Sequence, residues 1–266
     1  MPTDRSARTR WRALAAAGLT ALALALPIPL PAQAKSADEL VAEGDQHYAR
    51  ANLVEARASY LAALHESPAH YVALCRAARA ESELGELQKG DEQRRTRAAA
   101  VEHARAATKA SPDSAAGHVW LAVALGRQAL SEGPKAKLAL SREIKAEVDR
   151  GLQLDPDIGR GWHVLAMWNA KLSSLNMFER MAANTVLGGV PPGASFENAE
   201  KAFQKAIALE PAYVNHHLEY GRLLKGMNRK ADARRELEKA VSLPPTSDAL
   251  DGRYQAEAKE LLQRLQ

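Results

Sequence analysis

The chain has 266 residues, of which 46% are hydrophobic, and a formal net charge of +4 from 36 basic and 32 acidic side chains. One cysteine excludes an intramolecular disulfide, and the nearly balanced charge gives no concentrated basic surface of the kind that nucleic-acid binding requires. We therefore expect a chain long enough for a buried core, with no disulfide and no nucleic-acid partner.

The first 34 residues have the layout of a secretory signal peptide. Residues 5–12 contain four arginines, residues 13–26 are apolar, and residues 31–34 end the segment on small side chains. The apolar stretch is shorter than the roughly 20 residues that cross a bilayer, which favours cleavage after Ala34 over a retained anchor. Cleavage removes four arginines and one aspartate and leaves a net charge of +1. We expect a periplasmic or secreted protein with no membrane span after cleavage.

The rest of the chain, residues 35–266, repeats one helical phrase five times. Three positions in each phrase, mostly alanines around a larger apolar residue, are four and three residues apart and share one helix face. A proline five residues later ends that helix. The five prolines are Pro68, Pro112, Pro156, Pro211 and Pro245. Their spacings of 44, 44, 55 and 34 residues match a tetratricopeptide repeat that carries insertions.

The prolines also predict where the following helices begin, three residues past each one. A large residue, such as Trp162, and then a leucine and a small residue follow at helical spacing. The sequence therefore predicts an all-α fold, a right-handed α-solenoid of about five tetratricopeptide-like helix pairs. A final capping helix is expected to start with Ser247 or Asp248 as its cap and to run through Leu265. An ordinary alanine-rich bundle, the alternative, would not repeat this order.

A segment of more than twenty residues, 173–195, is inserted in the fourth repeat. Its apolar residues at helical spacing predict a helix over about residues 176–187 that packs on the fourth and fifth repeats. Glu179 and Arg180 would then face outward, and Ser195 would cap the next helix. The alternative is an exposed wing that binds a partner.

The sequence lacks the motifs of catalytic and metal sites. The eight histidines form no H-E-x-x-H pattern, and one cysteine leaves no Cys/His cluster with zinc spacing. Neither a G-x-S-x-G phrase nor a phosphate-binding glycine loop occurs. We therefore predict a protein that is not an enzyme, with no catalytic residue, metal or cofactor.

Inner positions of the solenoid are predicted to form a groove for a protein or peptide partner. The first helix of each pair lines such a groove, and the positions between its packing residues face the ligand. The register gives Tyr48, Arg79, Arg127, Arg160, His163, Met167, Lys171, Arg222 and Lys225. Their recurring positive charge favours an acidic partner segment. Alternatively, these cations pair with acids of the chain itself, such as Glu83.

Several longer phrases from residue 118 onward carry a more specific resemblance. They are residues 118–123 (HVWLAV), 133–137 (GPKAK), 151–156 (GLQLDP), 163–168 (HVLAMW), 178–183 (FERMAA) and 190–199 (VPPGASFENA). In order and content they resemble the regulator of microtubule dynamics family, a branch of tetratricopeptide-like proteins. The resemblance implies a helical-repeat adaptor, and eukaryotic members associate with microtubules. Since this chain begins with an export signal, we carry over the fold and not the partner.

Together these observations predict an exported protein-interaction scaffold that binds a protein or peptide through its inner groove. The alternative is a structural envelope protein that self-associates through residues 173–195 and therefore forms a homo-oligomer.

Overall fold

The computed structural model describes residues 35–186, 189–246 and 248–265. The predicted signal segment (residues 1–34), the predicted end of the insertion helix at Leu187, and Ser247 lie outside the described residues. Within them the protein has twelve helices and no strand. In chain order these are α1 Ala37–Ala49, α2 Leu53–Glu66, α3 Tyr71–Leu87, α4 Gly90–Ala110, α5 Ala115–Ala129, α6 Pro134–Leu154, α7 Gly159–Ser173, α8 Met177–Val186, α9 Phe196–Leu209, α10 Val214–Gly226, α11 Lys230–Ser242 and α12 Asp251–Gln263.

Ten of the helices form five pairs that stack on one another. The pairs are α1 with α2, α3 with α4, α5 with α6, α7 with α9, and α10 with α11. Helix α8 comes between the two helices of the fourth pair in the sequence, and α12 packs on α10 and α11. The predicted all-α solenoid of five helix pairs with a C-terminal capping helix is confirmed.

Four of the five prolines are followed by a helix that begins three residues later, namely α3, α5, α7 and α10, as predicted. In three of these turns a ring nitrogen six residues past the proline contacts the carbonyl of that proline. Trp162 Nε1 donates to the Pro156 carbonyl at 2.8 Å. Nε2 of His118 and of His217 lies 2.8 and 3.1 Å from the corresponding carbonyl. The large residue six positions after the proline therefore stabilises the turn as well as the packing of the helix pair.

The start of α12 differs from the prediction. Asp248 does not cap this helix, which begins at Asp251 after Leu250. Asp251 Oδ2 accepts hydrogen bonds from the backbone nitrogen and the hydroxyl of Thr246 at 2.6 and 2.7 Å. Asp248 Oδ1 accepts from the Leu250 backbone nitrogen at 3.0 Å. These bonds satisfy the backbone in a turn and delay the helix.

Small residues on the first helix of a pair accept a large side chain from the second. Gly44 on α1 faces Tyr60 of α2, and a Cβ at position 44 would lie 2.6 Å from Cδ1 of the tyrosine ring. Gly221 on α10 faces Leu237 of α11 in the same way, at 2.7 Å from Cγ. Tyr60 and Leu237 are fully buried. The repeated stripe of small and large residues is thus a set of ridges packed into grooves.

The predicted packing of the 173–195 insertion is wrong for α8. A helix is present and Ser195 caps α9, since its Oγ accepts from the backbone at 3.0 Å. However, Met177, Phe178 and Met181 are 74%, 71% and 56% exposed. Arg180, expected to face outward, instead folds back onto the end of α7, where carbonyl groups without helical partners need a donor.

Candidate functional site

Three arginines from successive inner helices form the most unusual feature of the protein. They are Arg79 on α3, Arg127 on α5 and Arg160 on α7, and we call them the arginine centre. The inner face is the side of the solenoid formed by α1, α3, α5, α7 and α10. The side chains of Arg79 and Arg160 are only 20% and 22% exposed. Buried cations require charge partners or hydrogen-bond acceptors, so the neighbours of each arginine determine what this face can do.

Arg79 lies between an aromatic ring and a buried carboxylate. Its guanidinium carbon is 4.0 Å from the centre of the Tyr48 ring, within the range of a cation–π contact. Arg79 Nε is 3.2 Å from Glu83 Oε1, one helical turn away. The Tyr48 hydroxyl donates to both carboxylate oxygens of Glu83 at 2.8 and 2.7 Å. Burial, and after it the charge of Asp248, raises the pKa of Glu83.

Arg160 makes the same kind of contacts at the other end of the inner face. Its guanidinium carbon lies 3.3 Å from the centre of the Tyr213 ring. Nε is 3.0 Å from Glu210 Oε2, and a terminal nitrogen is 3.3 Å from Asp248 Oδ2. Burial alone would raise the pKa of Glu210, but contact with His216 and the charge of Arg160 outweigh it and lower the pKa to about 2.

Arg127 joins the second and third pairs to the end of the chain. One of its terminal nitrogens donates to the Ser82 carbonyl on α3. The other is 3.5 Å from the hydroxyl of Tyr254 on α12. Arg253 extends the same connection by donating to the Glu86 carbonyl on α3. The contacts of Arg127 and Arg253 therefore bring the C-terminal residues onto helices that precede them by more than 100 positions.

Residues 248–254, which we call the closing turn, cover the arginine centre. Asp248, Leu250, Asp251 and Tyr254 are all less than 9% exposed. Ala249 packs against the buried cluster of the first two pairs. The segment that follows the last helix pair thus contacts α3, α5 and α7. The inner face is closed over the arginine centre by the chain itself.

Two histidines, His163 and His216, contact each other beside Arg160. His163 Nδ1 is 2.9 Å from His216 Nδ1, a distance at which one ring donates to the other. His163 also meets the rings of Phe203 and Tyr213 edge to face. Burial is the main cause that lowers the pKa of both histidines. Their contribution is packing and a neutral hydrogen bond, since their surroundings disfavour the protonated form.

The nine predicted groove residues separate into two groups. The first group lies at and around the arginine centre, where the closing turn contacts Arg127 and Arg160, and consists of Tyr48, Arg79, Arg127, Arg160 and His163. The second group lies on the later parts of α7 and α10, where Lys171 is exposed and Met167 and Lys225 are half-buried. Its fourth member, Arg222, contacts Glu219 at 2.6 Å and also pairs with Glu257 of α12. The alternative of pairing with acids of the chain therefore describes Arg79, Arg160 and Arg222, whereas Arg127 contacts a carbonyl and a hydroxyl group.

Sequence reasoning missed the residues that complete the covered group. Asp248 was expected only as a helix cap, and Tyr213 and Tyr254 were not singled out. Tyr254 lies on α12, beyond the last repeat, so no periodic position could indicate that it meets Arg127.

Other types of site are not found in the described ranges. No group of three or more His, Cys, Asp or Glu side chains could hold a metal ion there. None of the helices described is long and apolar enough to cross a membrane. A cavity of about 500 Å³ opens between α6, α7, α9 and the loop after α8, beside Trp162, Trp168 and Lys201. It is not lined by any residue of the arginine centre.

The sequence matches the family model described as regulator of microtubule dynamics protein 1–3 over residues 34–266. Among curated proteins, it is 31% identical over 190 residues to regulator of microtubule dynamics protein 3 of Rattus norvegicus, which is 71% of this chain and 40% of that protein. It is 29% identical over 192 residues to regulator of microtubule dynamics protein 1 of Bos taurus, covering 71% and 60%. The chain thus spans less than two thirds of the curated relatives it matches.

Solved structures with the same fold are tetratricopeptide-repeat proteins. A thermophilic protein of this type from Thermus thermophilus superposes with a TM-score of 0.60 at 19% identity, covering 84% of this chain and 98% of that one. The type IV pilus biogenesis factor PilW superposes with a TM-score of 0.53 at 18% identity, covering 86% and 92%. At this level of identity the match shows the tetratricopeptide solenoid alone.

Proposed function

We propose that this chain, which belongs to the regulator of microtubule dynamics protein 1–3 family, is an exported scaffold that binds an acidic segment of a partner protein along its inner face. The observation that carries the proposal is the line of basic side chains on α3, α5, α7 and α10. Carboxylates form strong, oriented hydrogen bonds with such cations. An extended acidic segment is the partner chemistry that this line favours.

The accessible part of this line is the place to test partner binding. Lys171 is exposed and Lys225 is half-buried, whereas the arginine centre lies beneath the closing turn. Substitution of a buried arginine would leave a carboxylate unpaired and could unfold the protein, which would make loss of binding uninformative. Exchange of the two lysines changes the charge of the surface and leaves these buried pairs intact.

The test is a cross-linked pull-down from the native cell envelope with the mature chain and two double variants. Lys171→Glu/Lys225→Glu should reduce capture of the bound proteins at least tenfold. Lys109→Glu/Lys230→Glu makes the same charge change on the exposed surfaces of α4 and α11 and should capture as well as the wild type. Equal capture by both variants would show that the inner face is not the binding surface.

Export is the second part of the proposal and is tested separately. The family match begins at residue 34, the last residue of the proposed signal segment, which supports its treatment as a leader. Expression of the full chain in a bacterial host should give a periplasmic or secreted protein. Its mass, measured on the intact protein, should equal that of a chain that begins at Lys35. A cytoplasmic, full-length product would contradict export. An exported chain would not meet tubulin, so the proposal takes only the scaffold role from the family.

A second candidate function is self-association through the insertion, and the exposed apolar side chains of α8 favour it. Met177, Phe178 and Met181 are more than half exposed on one short helix, and apolar side chains grouped in this way are typical of interaction surfaces. Light scattering coupled to size exclusion should then show a dimer that Phe178→Ser/Met181→Ser converts to a monomer. A monomeric wild type at high concentration would remove this candidate.

A further inference from the structure

We propose that the closing turn is an internal ligand, and that it occupies the place where an acidic segment of a partner puts a carboxylate on Arg160. The inference rests on the proposed scaffold function and specifies the chemistry of the partner segment. Such a segment would carry an aspartate or glutamate at the position of Asp248. Asp248 is the side chain through which the closing turn reaches Arg160, whereas Tyr254, which reaches Arg127, belongs to α12.

The charges on the inner face explain why one carboxylate is required. The solenoid itself gives Arg79 the carboxylate of Glu83 and gives Arg160 that of Glu210. Arg127 contacts the neutral Ser82 carbonyl and, across from it, a tyrosine hydroxyl. The charge of Glu86 on α3 also acts on Arg127, but Glu86 is paired with Arg97 at 2.9 Å. Without the closing turn, these four guanidinium groups therefore face three carboxylates, and one positive charge is left over. Asp248 offsets that charge, and a partner carboxylate would do the same.

The hydrogen bonds and charges of the closing turn fit the arginine centre imperfectly. The Asp248–Arg160 and Tyr254–Arg127 contacts are 3.3 and 3.5 Å, at or beyond the long end of hydrogen-bond distances. Asp251 Oδ1 is buried without a hydrogen-bond donor among the residues that the structure describes. Asp248 also places a second negative charge near Glu83 and helps to raise its pKa. A partner segment with one acidic residue and no counterpart of Asp251 would avoid the unsatisfied carboxylate oxygen.

The attachment of the closing turn allows its first two residues, Asp248 and Ala249, to be exchanged. It follows Pro244 and Pro245, which are exposed and lie between α11 and α12. Helix α12 has a separate anchor, because Ala258 and Leu265 pack in the cluster that holds α10 and α11. Asp248 and Ala249 can therefore leave the arginine centre while α12, with Tyr254, stays on the last pair.

The test measures binding of a fluorescent peptide, PPTSDA (residues 244–249), to the mature chain by fluorescence anisotropy. In Asp248→Asn the internal carboxylate is lost, so the peptide should bind at least tenfold more tightly than it does to the wild type. A peptide with asparagine in place of Asp248 should lose that gain. Asp113→Asn removes an exposed carboxylate that pairs with Arg150 and should behave as the wild type.

Each result decides the proposal. Equal affinity of the wild type and Asp248→Asn, or equal binding of the two peptides, would overturn it. A wild-type dimer in light scattering that Asp248→Asn converts to a monomer would assign the site to the closing turn of a second copy and would overturn the partner segment as its ligand. If circular dichroism shows that Asp248→Asn is not folded, the variant Pro244→Gly/Pro245→Gly takes its place in the binding measurement. This variant leaves the site unchanged, makes docking entropically more costly and should also strengthen peptide binding. The lysine variants test the scaffold function independently, so the two failures are distinguishable.

Discussion

At the scale of single residues, glycines on the first helix of a pair set how closely the two helices approach. Gly44 is such a position, since an added Cβ would lie 2.6 Å from Cδ1 of the buried Tyr60 ring. We expect Gly44→Ala to lower the free energy of unfolding by about 1–3 kcal/mol, because the ring has no space to move into. Urea denaturation followed by circular dichroism measures the change.

The matched control for this substitution is Gly126→Ala. Gly126 lies inside α5 with no atom within 4 Å of an added Cβ. The same exchange should there stabilise by about 0.5–1 kcal/mol, because alanine has the higher helix propensity. Destabilisation by both substitutions, or by neither, would contradict the role assigned to close packing at Gly44.

Glu210 gives the protein a pH dependence that follows from its low pKa. A carboxylate whose pKa is lower in the folded state contributes stability above its unfolded pKa and loses it as the pH falls. For Glu210 the window runs from its ordinary value of 4.5 down to about 2. Glu210→Gln should cost about 1–2 kcal/mol at pH 7, since the side chain is one-third exposed and water screens its contact with Arg160.

Unfolding measured at several pH values checks this assignment. The difference in stability between wild type and Glu210→Gln should shrink as the pH falls from 4.5 to 2. A difference that stays constant over this range would show that the contacts of Glu210 do not depend on its charge.

At the scale of helices, the sequence predicted the helix starts that depend on neighbouring residues. The prediction failed where more distant groups form hydrogen bonds that compete with the expected helix start or orientation. The prolines place four helix starts because a proline removes a backbone donor and restricts the residue before it. The fifth start was misplaced because Asp248 and Asp251 satisfy the backbone of a turn instead. The predicted orientation of α8 was wrong because Arg180 donates hydrogen bonds to carbonyl groups at the end of α7. Helical spacing shows which residues share a face, but does not show which face turns inward.

The insertion is therefore held at its ends, and this predicts unequal effects within it. Leu175 and Val190 pack against the core cluster of the second to fourth pairs, whereas Phe178 is exposed. Leu175→Ala should lower the free energy of unfolding by about 1–3 kcal/mol, with Phe178→Ser within about 0.5 kcal/mol of the wild type. Chemical denaturation measures both changes. Equal losses would mean that α8 packs on the solenoid in solution.

At the scale of the whole molecule, the closing turn changes what kind of solenoid this is. In an open solenoid each repeat contacts only its neighbours, so stability is a sum of local terms. Here Arg127 and Arg253 connect α12 with α3 and α5 across the stacked pairs. The sequence could not predict this connection, because contacts between residues 127 and 254 obey no repeat spacing. The predicted groove residues were largely inner-face residues, but their accessibility depends on this connection.

The connection predicts coupling between the two ends of the protein. Leu250 is fully buried with α10 and α11, so Leu250→Ala should cost about 2–5 kcal/mol. In an open solenoid, the resulting rise in hydrogen exchange would be confined to α10, α11 and α12. In this closed one, it should extend to the amides at the end of α3, where Ser82 and Glu86 accept the connecting hydrogen bonds. Hydrogen exchange with mass spectrometry resolves these helices, and unchanged exchange in α3 would show that the closing turn does not couple the first pairs to the last.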